Sequence, residues 1–92
     1  MMYKLEKIIA KTVSTEAETV KLNGMPCLVQ NLSEEATVYI KEKRDDGTDA
    51  TTDNGWAIPA GGATAVPMTV RELSVIASDE DTDVRVLVLD VG

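Results

Sequence analysis

The segment Asp83–Val91 limits the fold of this chain more than any other feature. In an extended chain one of its faces carries three valines, Val84, Val86 and Val88. The other face carries Arg85 followed by three aliphatic residues, Leu87, Leu89 and Val91. A strand that is apolar on both faces lies in the centre of a sheet or at an interface. The segment therefore predicts a sheet protein in which this strand is covered on both faces.

Five further segments have the length and composition of strands. Thr37–Lys43 is the clearest, because Val38 and Ile40 alternate with polar side chains at the period of a half-buried strand. Asn23-Gly24 predicts a tight hairpin, since both residues tolerate a positive φ. The other four predicted strands are Glu18–Leu22, Met25–Asn31, Thr64–Val70 and Glu72–Ala77.

These segments predict one all-β domain over residues 1–92. Residues 1–13 are predicted to form an arm or a first strand, with a helix as the alternative. Leu5, Ile8, Ile9 and Thr12 have a helical spacing, but the β-branched residues Ile8, Ile9, Thr12 and Val13 favour a strand. No capped helix of ordinary length follows. Arg44–Gly55 is expected to be irregular, and its part Arg44–Asn54 is expected to be mobile. The predicted fold is a small antiparallel β-sandwich, jelly-roll or immunoglobulin-like, with a partly open barrel as the remaining arrangement.

The charge distribution argues against nucleic acid as a partner, and the short apolar runs argue against insertion in a membrane. The net charge is −7, and residues 45–92 carry 10 acidic and only 2 basic side chains. Without a basic stripe we expect no nucleic-acid binding. No run approaches about 18 apolar residues, so we expect no membrane span, and the absence of an apolar N-terminal signal region predicts folding in a cytoplasm.

The residue inventory also predicts a protein that is not an enzyme. There is no His, which removes the Ser-His-Asp and Cys-His arrangements and His-ligated zinc. Cys27, the only cysteine, lies in an apolar run and is expected to be a buried core residue. We therefore predict no catalytic residues, no metal site and no cofactor.

Three features are candidates for ligand binding. The acidic segments Asp45–Asp49 and Asp79–Asp83 offer oxygen ligands for calcium, but their spacing differs from that of an EF-hand, and turn geometry explains these residues better. Trp56 is interpreted as a packing anchor of the core, with stacking on a sugar ring as the alternative.

The chain also resembles small β-sandwich modules of tailed-phage and prophage structural proteins. The resemblance covers about residues 28–89, and its motifs are structural, without a catalytic signature. They include an N-x-S/T turn, a VYI strand, a G-x-x-I-x-A-G loop and a closing hairpin. The matching segments are Val29–Ser33, Ala36–Ile40, Asp53–Gly62, Leu73–Ser78 and Asp83–Leu87.

The resemblance implies a virion part, such as a capsid decoration protein or a head or tail accessory protein, assembled in the host cytoplasm. The partners would be capsid or tail proteins and further copies of the chain. From the two-faced last strand we expect a homotrimer or homodimer with its contact at Arg85, Leu87, Leu89 and Val91. The alternative is a small carbohydrate- or calcium-binding module, in which the ligand or partner loop comprises Trp56, Asp79, Glu80, Asp81 and Asp83.

Overall fold

The computed structural model describes residues 3–22, 24–43, 47–66 and 70–91. These residues form eight strands and no helix, so none of them belongs to a helix that could cross a membrane. In chain order the strands are β1 (Tyr3–Val13), β2 (Glu18–Lys21), β3 (Cys27–Asn31), β4 (Val38–Glu42), β5 (Trp56–Ile58), β6 (Ala63–Val66), β7 (Glu72–Ala77) and β8 (Thr82–Val91).

The strands form two antiparallel sheets of four. The first sheet, called sheet A, has the order β1-β8-β3-β6, and the second, sheet B, has the order β2-β7-β4-β5. Strand β1 therefore pairs with β8, β2 with β7, β3 with β6 and β4 with β5, as if a long hairpin had been folded over on itself. This nested order is that of a jelly roll, which confirms the predicted all-β sandwich.

The core lies between the sheets and is aliphatic. Alternate residues of β8 point inward, and Val84, Val86 and Val88 are at most 2% exposed. Directly opposite them on β3 lie Cys27 and Val29, which are equally buried. Strand β8 lies between β1 and β3, so it is a central strand as predicted, but within the chain only its valine face is covered.

Each predicted strand is present, with small changes at its ends, and the described part of the N-terminal segment, Tyr3–Val13, forms β1 and not a loose arm. Strand β5 was not predicted. The part of the Thr64–Val70 strand at residues 67–69 lies outside the described residues, as do Asn23, Asp45 and Asp46.

The predicted Asn23-Gly24 hairpin is wrong. A tight turn does form, because Met25 N donates to Leu22 O at 2.9 Å and Gly24 has a φ of 79°. However, β2 belongs to sheet B and β3 to sheet A, so this turn carries the chain from one sheet to the other. A local turn motif fixes the reversal of the chain but not the strand that pairs with it.

The outer surface of sheet B is partly covered by the connection between β4 and β5. Ala50 N in this connection donates to the buried Ser74 Oγ of β7 at 2.8 Å, and Ala50 itself is buried. Lys43 Nζ lies 3.2 Å from Asp49 Oδ1, and Lys41 Nζ donates to the backbone and side-chain oxygens of Thr48 at 3.2 and 3.0 Å. The described part of this loop, residues 47–55, is therefore fastened to the sheet.

Candidate functional site

The outer face of sheet A carries a continuous row of apolar side chains. The register places Ile8 of β1 beside Leu87 of β8, Leu87 beside Leu28 of β3, and Leu28 beside Ala65 of β6. Residues that pair directly across neighbouring strands project to the same face. One row of aliphatic groups therefore crosses the whole sheet, and we call it the apolar row.

The apolar row is open to solvent over much of its length. Ile8 is 55% exposed and Leu28 38% exposed, while Leu87 is half-buried between them. A second pair, Leu5 and Leu89, extends the apolar surface toward the start of β1, and Leu5 is 52% exposed. Exposed aliphatic groups that are contiguous, unlike scattered ones, mark an interaction surface.

The same face becomes polar toward the other end of β8. Arg85 lies between Ala10 and Gln30, and Asp83 lies beside Thr12, whose hydroxyl is 3.5 Å from the Asp83 carboxylate. At these positions the face carries one basic and one acidic side chain, so their charges balance. This balance contrasts with the net charge of −7 on the whole chain.

The structure brings three of the four predicted interface residues onto this face. Arg85, Leu87 and Leu89 all project outward, because the buried valines between them project inward. Val91 lies at the end of β8, opposite Tyr3. The sequence did not identify Ile8, Leu28 or Ala65 as their neighbours, since these residues come from three other strands and only the register brings them together.

Trp56 is not a core residue, so its interpretation as a packing anchor is wrong. It is 67% exposed, more than any other large hydrophobic residue among those described. Trp56 pairs with the buried Ile40 and thus points to the inner side of sheet B. Strand β5 is the edge of that sheet, so the indole lies at the open side of the sandwich, where β5 faces the edge strand β6.

A pocket of about 330 Å³ opens at this side of the sandwich. Its apolar lining comes from both sheets and includes Trp56, Val66 and Leu73, and Lys41 and Glu42 contribute polar groups. An exposed indole beside an apolar hollow is a suitable surface for an apolar or ring-shaped group. The pocket is the second candidate site.

We expect Trp56→Ala to change the free energy of unfolding by about 1 kcal/mol or less, because substitutions at exposed positions remove little packing. Chemical denaturation of the two proteins measures this difference. The tryptophan fluorescence of the native protein should also respond to acrylamide almost as strongly as that of the unfolded chain. A blue-shifted, unquenched emission would contradict the exposed position.

The second acidic segment lies at one end of the sandwich with two further carboxylates. Glu34 and Glu35, in the connection between β3 and β4, line a cleft of about 300 Å³ together with Asp79, Glu80 and Asp81. Asp81 has a φ of 54°, which is turn geometry.

No group of three or more acidic or Cys side chains in the described ranges is arranged to hold a metal ion. The acidic cleft and the Trp56 pocket have no residue in common, so the structure does not combine Trp56 with Asp79–Asp83 in one site. Asp83 itself lies on the outer face of sheet A, beside Thr12.

Cys27 lies in the core, as predicted, and its surroundings make it unreactive. The side chain is 2% exposed between the sheets, and desolvation by burial raises the pKa of the thiol from 9.0 to about 11. The thiolate is the reactive form of cysteine, so the folded protein holds almost none of it at neutral pH. Cys27 is not a candidate nucleophile.

We expect a thiol reagent at pH 8 to modify Cys27 in the folded protein far more slowly than in denaturant. The raised pKa also predicts that the stability of the fold decreases as the pH rises from about 9 toward 11, because the unfolded chain loses the thiol proton first. Unfolding curves at several pH values measure the decrease. Cys27→Ala should remove the part of this decrease in stability that the thiol causes. A variant with the same pH dependence as the wild type would show that Cys27 does not cause it.

Comparison of the chain with protein-family models, with curated proteins and with solved structures gave no match.

Proposed function

We propose that the chain is a non-enzymatic structural protein of a tailed-phage or prophage virion, and that it acts by oligomeric assembly on a capsid or tail surface. The observation that carries the proposal is the exposed apolar face of sheet A. A protein of this size gains little from leaving Ile8 and Leu28 in water, whereas an interface uses such groups as its centre.

The jelly-roll topology supports the proposal at the level of fold. Eight-stranded jelly rolls are used in viral capsid and lectin domains, and in cupins, so the fold is compatible with a virion part without requiring it. The resemblance of residues 28–89 to phage sandwich modules favours the virion role among these uses. The specific role would be that of a capsid decoration protein or a head or tail accessory protein.

The chemistry of the side chains supports a role without catalysis. The chain has no His, and its one thiol is buried with a raised pKa. The two hollows contain the features of binding sites, an indole beside an apolar wall and a group of carboxylates, and neither contains an activated nucleophile.

A second candidate function is that of a small ligand-binding module. The observation in its favour is the exposure of Trp56 at the mouth of the 330 Å³ pocket, because indole rings stack on the apolar faces of sugars. Thr64, in the same lining, offers a hydroxyl group for hydrogen bonds to a sugar. In this alternative the ligand binds in the pocket, and the outer face of sheet A has no role in binding.

A comparison of virions made with and without the gene for this chain tests the first proposal. We expect the chain in purified particles at a fixed number of copies per particle, and particles that lack it should bind the purified protein back to saturation. Leu28→Glu should bind back poorly, while Trp56→Glu should bind normally. Absence of the chain from particles that are otherwise complete would contradict the virion role.

Glycan and calcium titrations test the second candidate. A ligand that binds only the native state raises the melting temperature in proportion to its occupancy. We expect neither calcium nor a panel of sugars to raise it. A sugar-dependent rise that Trp56→Ala abolishes would favour the ligand-binding module, and a calcium-dependent rise that neutralisation of Asp79, Glu80 and Asp81 abolishes would favour a metal site.

A further inference from the structure

The two outer faces of the sandwich differ in what covers them. The chain itself covers part of sheet B, since the loop of residues 47–55 is fastened over Ser74. No described segment lies over the apolar row of sheet A, where Ile8 and Leu28 remain exposed. Of the two faces, sheet A is therefore the one that offers apolar area to another molecule.

The edges of sheet A are poorly suited to pairing with another strand. The edge strand β1 has an irregularity between Leu5 and Lys7, and it presents Lys7 and Lys11 along its length. Bulges and lysines on edge strands oppose the addition of a further strand. The opposite edge, β6, has four residues in the part of the chain that the structure describes. Association would therefore involve the face of the sheet and not its edges.

We propose that this face binds the same face of a second copy of the chain, in a two-fold dimer whose axis runs parallel to the strands between β8 and β3. The inference rests on the proposed function, which requires self-assembly, and it specifies the surface and the symmetry. A two-fold contact uses one patch on both subunits, so the patch has to be complementary to itself.

The apolar row is complementary to itself about that axis. The rotation reverses the order of the strands, so Leu87 of one copy lies over Leu28 of the other. At the ends of the row Ile8 lies over Ala65, which places a large side chain against a small one. Alternation of large and small residues across two faces allows the layers to interdigitate.

The charges of the face also fit this arrangement. The row next to the apolar row is Ala10–Arg85–Gln30–Ala63, and the same rotation places Arg85 over Gln30 of the second copy. No like charges therefore meet in this row. Because the chain has a net charge of −7, two copies repel each other when other surfaces meet. On this face the positive charge of Arg85 balances the negative charge of Asp83.

The size of the face is that of a stable interface. The molecule is thin, with extents of 36 × 30 × 16 Å, and the sheets lie parallel to its broad side. An ellipse with the two longer axes covers about 850 Å², so contact over the whole face would involve close to the ~800 Å² per partner of a standard-sized complex.

Sedimentation over a range of protein concentrations tests the proposal. We expect a reversible dimer of the wild-type chain, and Leu28→Glu should weaken it by roughly a hundredfold, since a carboxylate would be buried opposite Leu87. Trp56→Glu is the matched control, because it places the same charge at an exposed apolar residue of sheet B, and it should leave the dimer constant unchanged. Thermal unfolding of both variants establishes that they are folded.

A size exchange tests the position of the axis. Ile8→Ala should weaken the dimer by about tenfold, and the double variant Ile8→Ala with Ala65→Ile should restore it, because the two residues face each other across the axis. If the double variant dimerises no more strongly than Ile8→Ala alone, this symmetry would be overturned.

The possible outcomes separate the inference from the proposed function. A higher oligomer, or a dimer that Leu28→Glu leaves intact, would overturn the sheet A dimer while leaving assembly in place. A chain that is monomeric at all concentrations, both alone and on virions, would overturn the dimer together with the oligomeric part of the proposed function.

Discussion

Replacing Asn31 with Asp is expected to destabilise the fold by about 3 to 5 kcal/mol, a large fraction of the roughly 5 to 14 kcal/mol that a domain of this length possesses. Asn31 ends β3 and is 0% exposed. Its Nδ2 donates to Ala36 O at 2.9 Å and to Ile58 O at 3.0 Å, and its Oδ1 accepts from Ser33 N at 3.0 Å. The amide thus joins sheet A to β5 of sheet B and to the connection between β3 and β4.

The Asp variant separates hydrogen bonding from packing, because the two side chains have the same shape. A carboxylate still accepts from Ser33 N, but it has no donor for the two carbonyl groups and places negative charge against them. Denaturant unfolding at pH 7 measures the loss. Lys21→Ala, at an exposed position of β2 in sheet B, is the control and should change stability by less than about 0.5 kcal/mol. An Asn31→Asp protein as stable as the wild type would show that the two donated bonds do not contribute.

The sequence predicted the buried turn only in part. Asn31-Leu32-Ser33 is a typical turn motif, and the bond from Ser33 N to the Asn31 side chain is its expected contact. The complete burial of Asn31 depends on Ile58, which approaches from a strand 27 residues further along the chain. No local pattern contains that information.

The strands were predictable wherever the alternation of apolar residues was long enough to be distinct. Strands β4 and β8 have clear periods of two, and β8 also shows by its two apolar faces that it is central. Strand β5 has only three residues, Trp56–Ile58, between turn residues on both sides. Three residues do not establish a period, and the strand exists because β4 supplies its hydrogen-bond partners.

The jelly-roll order was not predictable from periodicity. Strand β1 pairs with β8, which lies at the other end of the sequence, and both belong to the sheet that contains β3. Alternation determines which face of a strand is buried, but not which strand lies beside it. The candidate dimer surface shows the same limit, since Leu87 was predicted from β8 alone, whereas Ile8 and Leu28 required the register.

The misinterpretation of Trp56 has a physical explanation. Large aromatic residues are usually well buried, and in a chain with only one tryptophan a core position is the favoured expectation. Trp56 does face the inner side of its sheet, through its pairing with Ile40. Strand β5 is the last strand of that sheet, however, so none of the described strands lies beyond it to cover the indole. The position of the strand, and not the direction of the side chain, determines the exposure.

Replacing Gly55 with Ala is expected to destabilise the fold by about 2 to 3 kcal/mol through overpacking. Gly55 directly precedes β5, where the chain passes close to β4. A Cβ atom at this position would lie 2.7 Å from Tyr39 Cβ and 3.3 Å from Ile40 N, and neither atom belongs to the mobile end of a side chain. The backbone would have to move, and with it the bond from Gly55 N to Thr51 O.

Gly61→Ala is the matched control for this substitution, since its cost has a different origin. Gly61 has a φ of +76° and open space around it, so a methyl group there causes conformational strain of about 1 kcal/mol without a collision. The φ of Gly55 lies outside the left-handed region, and an added Cβ would otherwise stabilise the protein by restricting the unfolded chain. The loss in the free energy of unfolding of each variant, taken from its unfolding curve, therefore separates the cost of the close contact at Gly55 from the cost of backbone strain at Gly61.

Amide hydrogen exchange of the Gly55→Ala protein should locate the disturbance. If the backbone moves away from β4, the loop of residues 47–55 loosens and the Ala50 amide, which donates to Ser74 Oγ, loses protection. Amides of β8 on the other sheet should keep theirs. A Gly55→Ala protein that is more stable than the wild type, with the Ala50 amide still protected, would show that the loop does not pack closely against β4.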